Sequence, residues 1–177
     1  MKNKLISLLL ALIMLLALSS CEEPENNRSA AESQAESTPM KYQSYDFTVW
    51  DENGNTVHLS DFIGKPIVIN FWATWCGYCK QEMPDFQKAS EEYKDVVFLM
   101  VNATDGETET VEKASAYIKE NNYTFTVVYD KFCDAINAYS VRAFPTTYLI
   151  DREGYIVAAS SGMLDYESLK KGIEMIR

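Results

Sequence analysis

Two cysteines, Cys76 and Cys79, sit two residues apart in FWATWCGYCKQEMP, residues 71–84. A pair with this spacing can ligate a metal, staple a loop, carry a haem or exchange electrons with another thiol pair. A metal site needs further ligands. The chain offers one histidine, His58, and two more cysteines, Cys21 and Cys133, at spacings that suit no zinc site. Haem attachment fails because Lys80, not histidine, follows Cys79. A purely structural bridge would close too short a loop to constrain the unfolded chain much. Dithiol–disulfide exchange fits the spacing best, and it requires neither metal nor organic cofactor.

Such chemistry depends on where the pair is mounted. PIVINFW (66–72) is a continuous apolar run and predicts a strand buried on both faces. Helical spacing follows over 80–93, with Met83, Phe86, Ala89 and Tyr93 on one side and Pro84 expected to kink the start. Cys76 therefore opens a helix, where unpaired N–H groups stabilise a thiolate and make it the first to react. Cys79, one turn deeper on the same face, is the resolving thiol.

The other elements complete a layered domain. Residues 45–50 and 56–59 alternate around Asn53-Gly54 and predict a hairpin, with His58 an exposed strand residue lacking a partner. Ser60 is read as the cap of a short turn at 60–62. Strands are expected at 95–102, 125–130, 145–151 and 155–160, and helices at 108–122, 131–141 and 165–176. Cys133 falls in the apolar pattern of the 131–141 helix and is read as a buried, inert thiol. The order, a hairpin and then β-α-β-α-β-α-β-β-α, predicts an α/β domain with a central mixed sheet flanked by helices.

The N-terminal 21 residues set the compartment. Lys2 and Lys4 precede a 14-residue apolar run, Leu5 to Leu18. That run is roughly 21 Å as helix, short of the ~30 Å hydrocarbon core, so it predicts a secretory signal and not a permanent span. It ends in LSSC, which resembles a bacterial lipobox and implies cleavage after residue 20 and lipidation of Cys21. Residues 22–40 lack aromatics and periodicity and read as a disordered tether with a reach of about 20–25 Å. The expected organisation is a signal peptide at 1–20, a lipidated cysteine and tether at 21–40, and a folded domain at 41–177 on the extracytoplasmic face of a bacterial cell membrane. Thiols there are not kept reduced by default. With 26 acidic against 16 basic residues and no basic stripe, nucleic acid is not a partner.

FWATWCGYCK is similar to the thioredoxin active site W-C-x-x-C-K, and AFPTTYLID (143–151) to the thioredoxin segment bearing a cis-proline. Over about residues 42–177 the chain resembles the TlpA/ResA-like group of membrane-tethered thiol-disulfide oxidoreductases. The resemblance implies a thioredoxin-like fold with an N-terminal β-hairpin extension. It makes Cys76 the nucleophile and Cys79 the resolving cysteine, which together form the redox disulfide. Trp75 shields the site. Pro145 lies opposite the disulfide, and the Phe144 backbone offers an edge to a client strand. Cytoplasmic thioredoxins carry a buried Asp before the cysteines; here Asn70 stands in its place and cannot titrate. The ResA-like group uses a helix glutamate instead, and Glu82 matches it. A partly buried carboxylate one turn beyond Cys79 can accept its proton near neutral pH.

The implied activity is reduction of oxidised client proteins by a monomer, re-reduced by a transmembrane thiol electron donor of the CcdA/DsbD type. A disulfide-forming oxidase is the alternative, because Gly77-Tyr78 replaces the Gly-Pro of thioredoxin and the intervening pair tunes the potential. A thiol peroxidase is a further one. It lacks support from its motif P-x-x-x-[T/S]-x-x-C, because Ile69 and Ala73 occupy the positions of the proline and hydroxyl residue.

Overall fold

The computed structural model describes residues 42–177. The expected signal segment 1–20, lipidation site Cys21 and tether 21–40 lie outside the described residues. The elements in chain order are β1 (Tyr42–Gln43), β2 (Thr48–Trp50), β3 (Thr56–His58), a 3₁₀ turn (Leu59–Phe62), β4 (Ile67–Trp72), α1 (Gly77–Glu92) and β5 (Val97–Asn102). After these come α2 (Val111–Glu120), β6 (Thr126–Tyr129), α3 (Asp134–Ala138), β7 (Thr146–Ile150), β8 (Tyr155–Ser161) and α4 (Tyr166–Ile176).

The strands form one mixed sheet in the order β1-β8-β7-β4-β5-β6-β2-β3. β4, β5 and β6 are parallel, and the remaining pairs are antiparallel. The apolar run at 66–72 explains the centre. All six residues of β4 are buried, because strands pack beside it and helices cover both faces. Alternation sorts its side chains. Val68 and Trp72 join the layer under α1, α2 and α4, while Ile67, Ile69 and Phe71 join the layer under α3 and the 3₁₀ turn.

Several sequence expectations shift. Cys76 is the N-cap of α1, as its expected place at the helix start implies, and Pro84 lies inside the helix. Ser60 caps nothing by its side chain. The His58 N–H instead donates to Asp61 Oδ2 (2.8 Å), and the Ser60 N–H donates to Asp46 Oδ1 (3.0 Å). His58 is half-buried and has a partner across the hairpin, Thr48 Oγ1 at 3.2 Å from Nδ1. β1 was not foreseen; two exposed residues carry no periodic signal, and pairing with β8 creates the strand.

Cys133 corrects a reading. It is exposed, with φ at 58°, on the turn ahead of α3. α3 begins at Asp134, three residues later than the expected 131, so Cys133 falls on the turn before it and Ala135 and Tyr139 take the buried positions. The Asp130 carboxylate fixes that start by accepting from the N–H groups of Asp134 (2.8 Å) and Ile136 (2.9 Å).

Candidate active site

β4 ends at Trp72, and four residues later Cys76 caps α1. Its Sγ accepts from the Cys79 N–H at 3.1 Å, which places the sulfur over the free donors of the first helical turn. Cys76 and Cys79 are joined as a disulfide with Cα atoms 5.3 Å apart. Cys76 is 6% exposed and Cys79 fully buried. An incoming group therefore meets Cys76 first.

The rim is aromatic. Trp75 is 55% exposed, although tryptophan is usually covered, and it packs edge-on against half-buried Phe144 with ring centroids 5.6 Å apart. Tyr78, in the first turn of α1, is exposed as well. The Phe144-Pro145 bond is cis, and the Pro145 carbonyl accepts from the Gly162 N–H (2.8 Å). The β4–β7 register runs from Phe71 opposite Thr146 to Ile67 opposite Ile150, so Pro145 stands at the same end of the sheet as the segment that leads to Cys76.

Glu82, two turns into α1, is only 1% exposed, on the inward face that also holds Cys79, Met83 and Phe86. Its Oε1 accepts from Asn70 Nδ2 (2.8 Å) and its Oε2 from the Leu164 N–H (2.9 Å). Burial pushes its carboxyl up to about 7; the Leu164 N–H and the Asn70 amide pull it down, and nearby Asp85 adds a small push upward. The group thus changes charge near neutrality on the helix face that also carries Cys79.

A second buried carboxylate escaped the sequence reading. Glu109 is fully buried just before α2. Its Oε1 accepts from the Thr74 N–H and Asn102 Nδ2, both at 2.7 Å, and its Oε2 accepts from the Thr74 hydroxyl. It pins the segment leading to Trp75 and Cys76 onto the end of β5. In sequence it sits among Asp105, Glu107 and threonines, which reads as a solvated loop. Asn102, a polar residue closing an apolar strand, was the nearest signal.

Residues 40–159 match the AhpC/TSA family. The chain is 34% identical over 137 residues to the thiol-disulfide oxidoreductase ResA of Halalkalibacterium halodurans, covering 76% of each. It is 35% identical to ResA of Geobacillus kaustophilus, covering 75% of each. Among solved structures it is similar to a putative thiol:disulfide interchange protein DsbE from Chlorobium tepidum (TM-score 0.69, 29% identity, 76% of this chain and 94% of that one). It is also similar to the pneumococcal exposed lipoprotein thioredoxin of Streptococcus pneumoniae (TM-score 0.64, 29% identity, 73% of this chain and 98% of that one).

Proposed function

The chain belongs to the AhpC/TSA family and is a thiol-disulfide oxidoreductase, and on that premise we propose that it reduces disulfides of client proteins outside the cytoplasm while anchored to the membrane through lipid on Cys21. The observation that carries the chemistry is the division of labour at α1. One sulfur stands at the helix N-terminus near the surface, and the second is sealed behind it next to a carboxyl that titrates near neutral pH.

Each atom then has a role. The Cys76 thiolate attacks one sulfur of the client disulfide and expels the other as a thiolate, which leaves a mixed disulfide. Glu82, ionised, takes the Cys79 proton. The Cys79 thiolate attacks the Cys76 sulfur, the second client sulfur leaves, and the domain ends in the disulfide form. Two electrons have passed to the client. Trp75 and Phe144 supply the apolar contact surface, and the chain around cis-Pro145 supplies backbone groups for an extended client segment. A transmembrane thiol donor of the CcdA/DsbD type returns the electrons. The domain acts as a monomer.

Glu82 also supports the reductive direction. A strongly oxidising dithiol owes its potential to a stabilised reduced form. A buried carboxylate beside the thiols opposes thiolate charge and works against that stabilisation. A potential near the thioredoxin value of about −270 mV agrees with a reductase, whereas one near −120 mV makes the protein an oxidase. The family's name leaves a peroxidase in view, but Ile69 and Ala73 stand where its motif requires proline and a hydroxyl residue. Negligible peroxide turnover is expected, and rapid turnover would refute the reductase reading.

The anchor rests on the sequence of residues 1–40 and on the pneumococcal relative, which is described as an exposed lipoprotein. Cys21→Ala should move the domain to the soluble fraction. Retention in the membrane would mean that a helix holds it instead. The decisive experiment for the activity is Cys79→Ser in cells, which should accumulate clients joined to Cys76. Absence of any mixed disulfide would sink the exchange mechanism.

A further inference from the structure

Asn70 is an anomaly in β4. It is fully buried in a strand otherwise made of Ile, Val, Phe and Trp, and a Leu or Val there would cover the same apolar layer. Buried polar side chains are retained where their hydrogen bonds matter. Asn70 makes two, and both use the same atom. Nδ2 donates to Glu82 Oε1 (2.8 Å) and to Thr147 Oγ1 (3.1 Å). Its Oδ1 is buried with no hydrogen-bond partner among the described residues.

That imbalance is informative. Here the orientation gives up the acceptor to aim both hydrogens. Reversing the amide would set Oδ1 against a carboxyl oxygen, so the orientation in which Nδ2 donates is the one that favours the ionised form of Glu82. Thr147 reinforces it. The β4–β7 register sets Thr147 directly opposite Asn70, and its hydroxyl engages the second hydrogen, so the amide is held at two points.

Building on the proposed role of Glu82 as proton acceptor, we infer that Asn70, braced by the Thr147 hydroxyl, is the positioning residue that keeps the Glu82 carboxylate ionised and ready to take the Cys79 proton. Without this donor, burial and Asp85 would act on Glu82 against the Leu164 N–H alone. Asp85, on its own helix, is the charged side chain felt at Glu82. β4, β7 and the β8–α4 loop meet the network through the neutral Asn70, Thr147 and Leu164 N–H. The two active-site sulfurs become titratable on reduction. Loss of the Asn70 donor leaves Glu82 protonated at neutral pH, and a protonated carboxyl cannot accept from a thiol.

The test uses the reduced domain with ¹³C-labelled glutamate carboxyls, titrated by NMR. In parallel, the rate at which Cys79 releases glutathione from a Cys76–glutathione mixed disulfide is followed against pH. Asn70→Leu should raise the Glu82 midpoint by about one pH unit, a tenfold change in its ionisation ratio. Release should slow roughly fivefold at pH 7 and recover by about pH 9. Thr147→Val should move both readouts the same way by less, and Thr147→Ser, which keeps the hydroxyl, should restore them. If Asn70→Leu does not fold, the Val/Ser pair at 147 still decides, because both are small changes. Unmoved Glu82 midpoints in Asn70→Leu and Thr147→Val would overturn the inference. The premise fails separately. If Glu82→Gln leaves the pH dependence of release unchanged while Asn70→Leu still shifts the Glu82 midpoint, Asn70 sets the carboxyl but Glu82 is not the acceptor.

Discussion

Glu82→Gln in the oxidised domain isolates the energetic cost of burying a titrating carboxyl. With the disulfide intact, no thiol titrates. The folded state holds the Glu82 proton up to about pH 7, and the ordinary glutamate value is 4.5. Between those values the native state binds a proton that the unfolded state has released. Stability must therefore fall as pH rises from about 4.5 through about 7, and then level off. The difference amounts to about 3 kcal/mol at ~1.4 kcal/mol per tenfold. With 1% exposure, solvent screening removes little of this. Gln stays neutral and has no such dependence. It has a fixed drawback, because its amide nitrogen must face either Asn70 Nδ2 or the Leu164 N–H, donor against donor, at about 1–2 kcal/mol. The variant should thus be less stable than the parent at pH 4 and more stable at pH 8. Urea unfolding across this range measures both. The change in the stability gap between pH 4 and pH 8 does not depend on the fixed drawback. Other carboxyls, such as Asp46, held low chiefly by its bonds to Ser60 despite opposing burial, titrate in both proteins and cancel. A gap that changes by less than about 1 kcal/mol would refute the claim that burial raises this group.

Three further outcomes follow from the same geometry. Glu109→Ala strips the acceptors from Thr74 and Asn102, so it should destabilise by about 2–4 kcal/mol in urea and make Trp75 fluorescence report a looser loop; unchanged stability would show that Glu109 anchors nothing. Trp75→Ala should leave stability within about 0.5 kcal/mol, because the ring is already more than half exposed, yet weaken client capture in the Cys79→Ser trap. Cys133, exposed and free, should react with a thiol reagent in the folded, oxidised Cys21→Ala variant, and labelling that needs denaturant would place it in the interior after all.

The chain pattern carried the layers and the position of the cysteine pair. The continuous apolar run ahead of Cys76 marked the central strand, because only a strand covered on both faces can omit polar residues. The spacing of Cys76 and Cys79 placed the pair on one face of a helix's first turn, because helical periodicity is local, and the family resemblance added Glu82 on the same helix. Elements whose existence depends on a partner were harder to read. β1 exists through β8, and the exposure of Cys133 follows from where Asp130 starts α3.

What the sequence by itself determined is which residues are candidates for the chemistry and on what element they ride. The tertiary structure decided how strongly each is poised. Asn70 and Thr147 are distant in sequence yet directly opposed in the sheet, and Leu164 and Glu109 reach the site from loops with no motif. Proton affinity depends on desolvation and on donors within hydrogen-bond reach, and these come from strands and loops brought together only when the sheet closes.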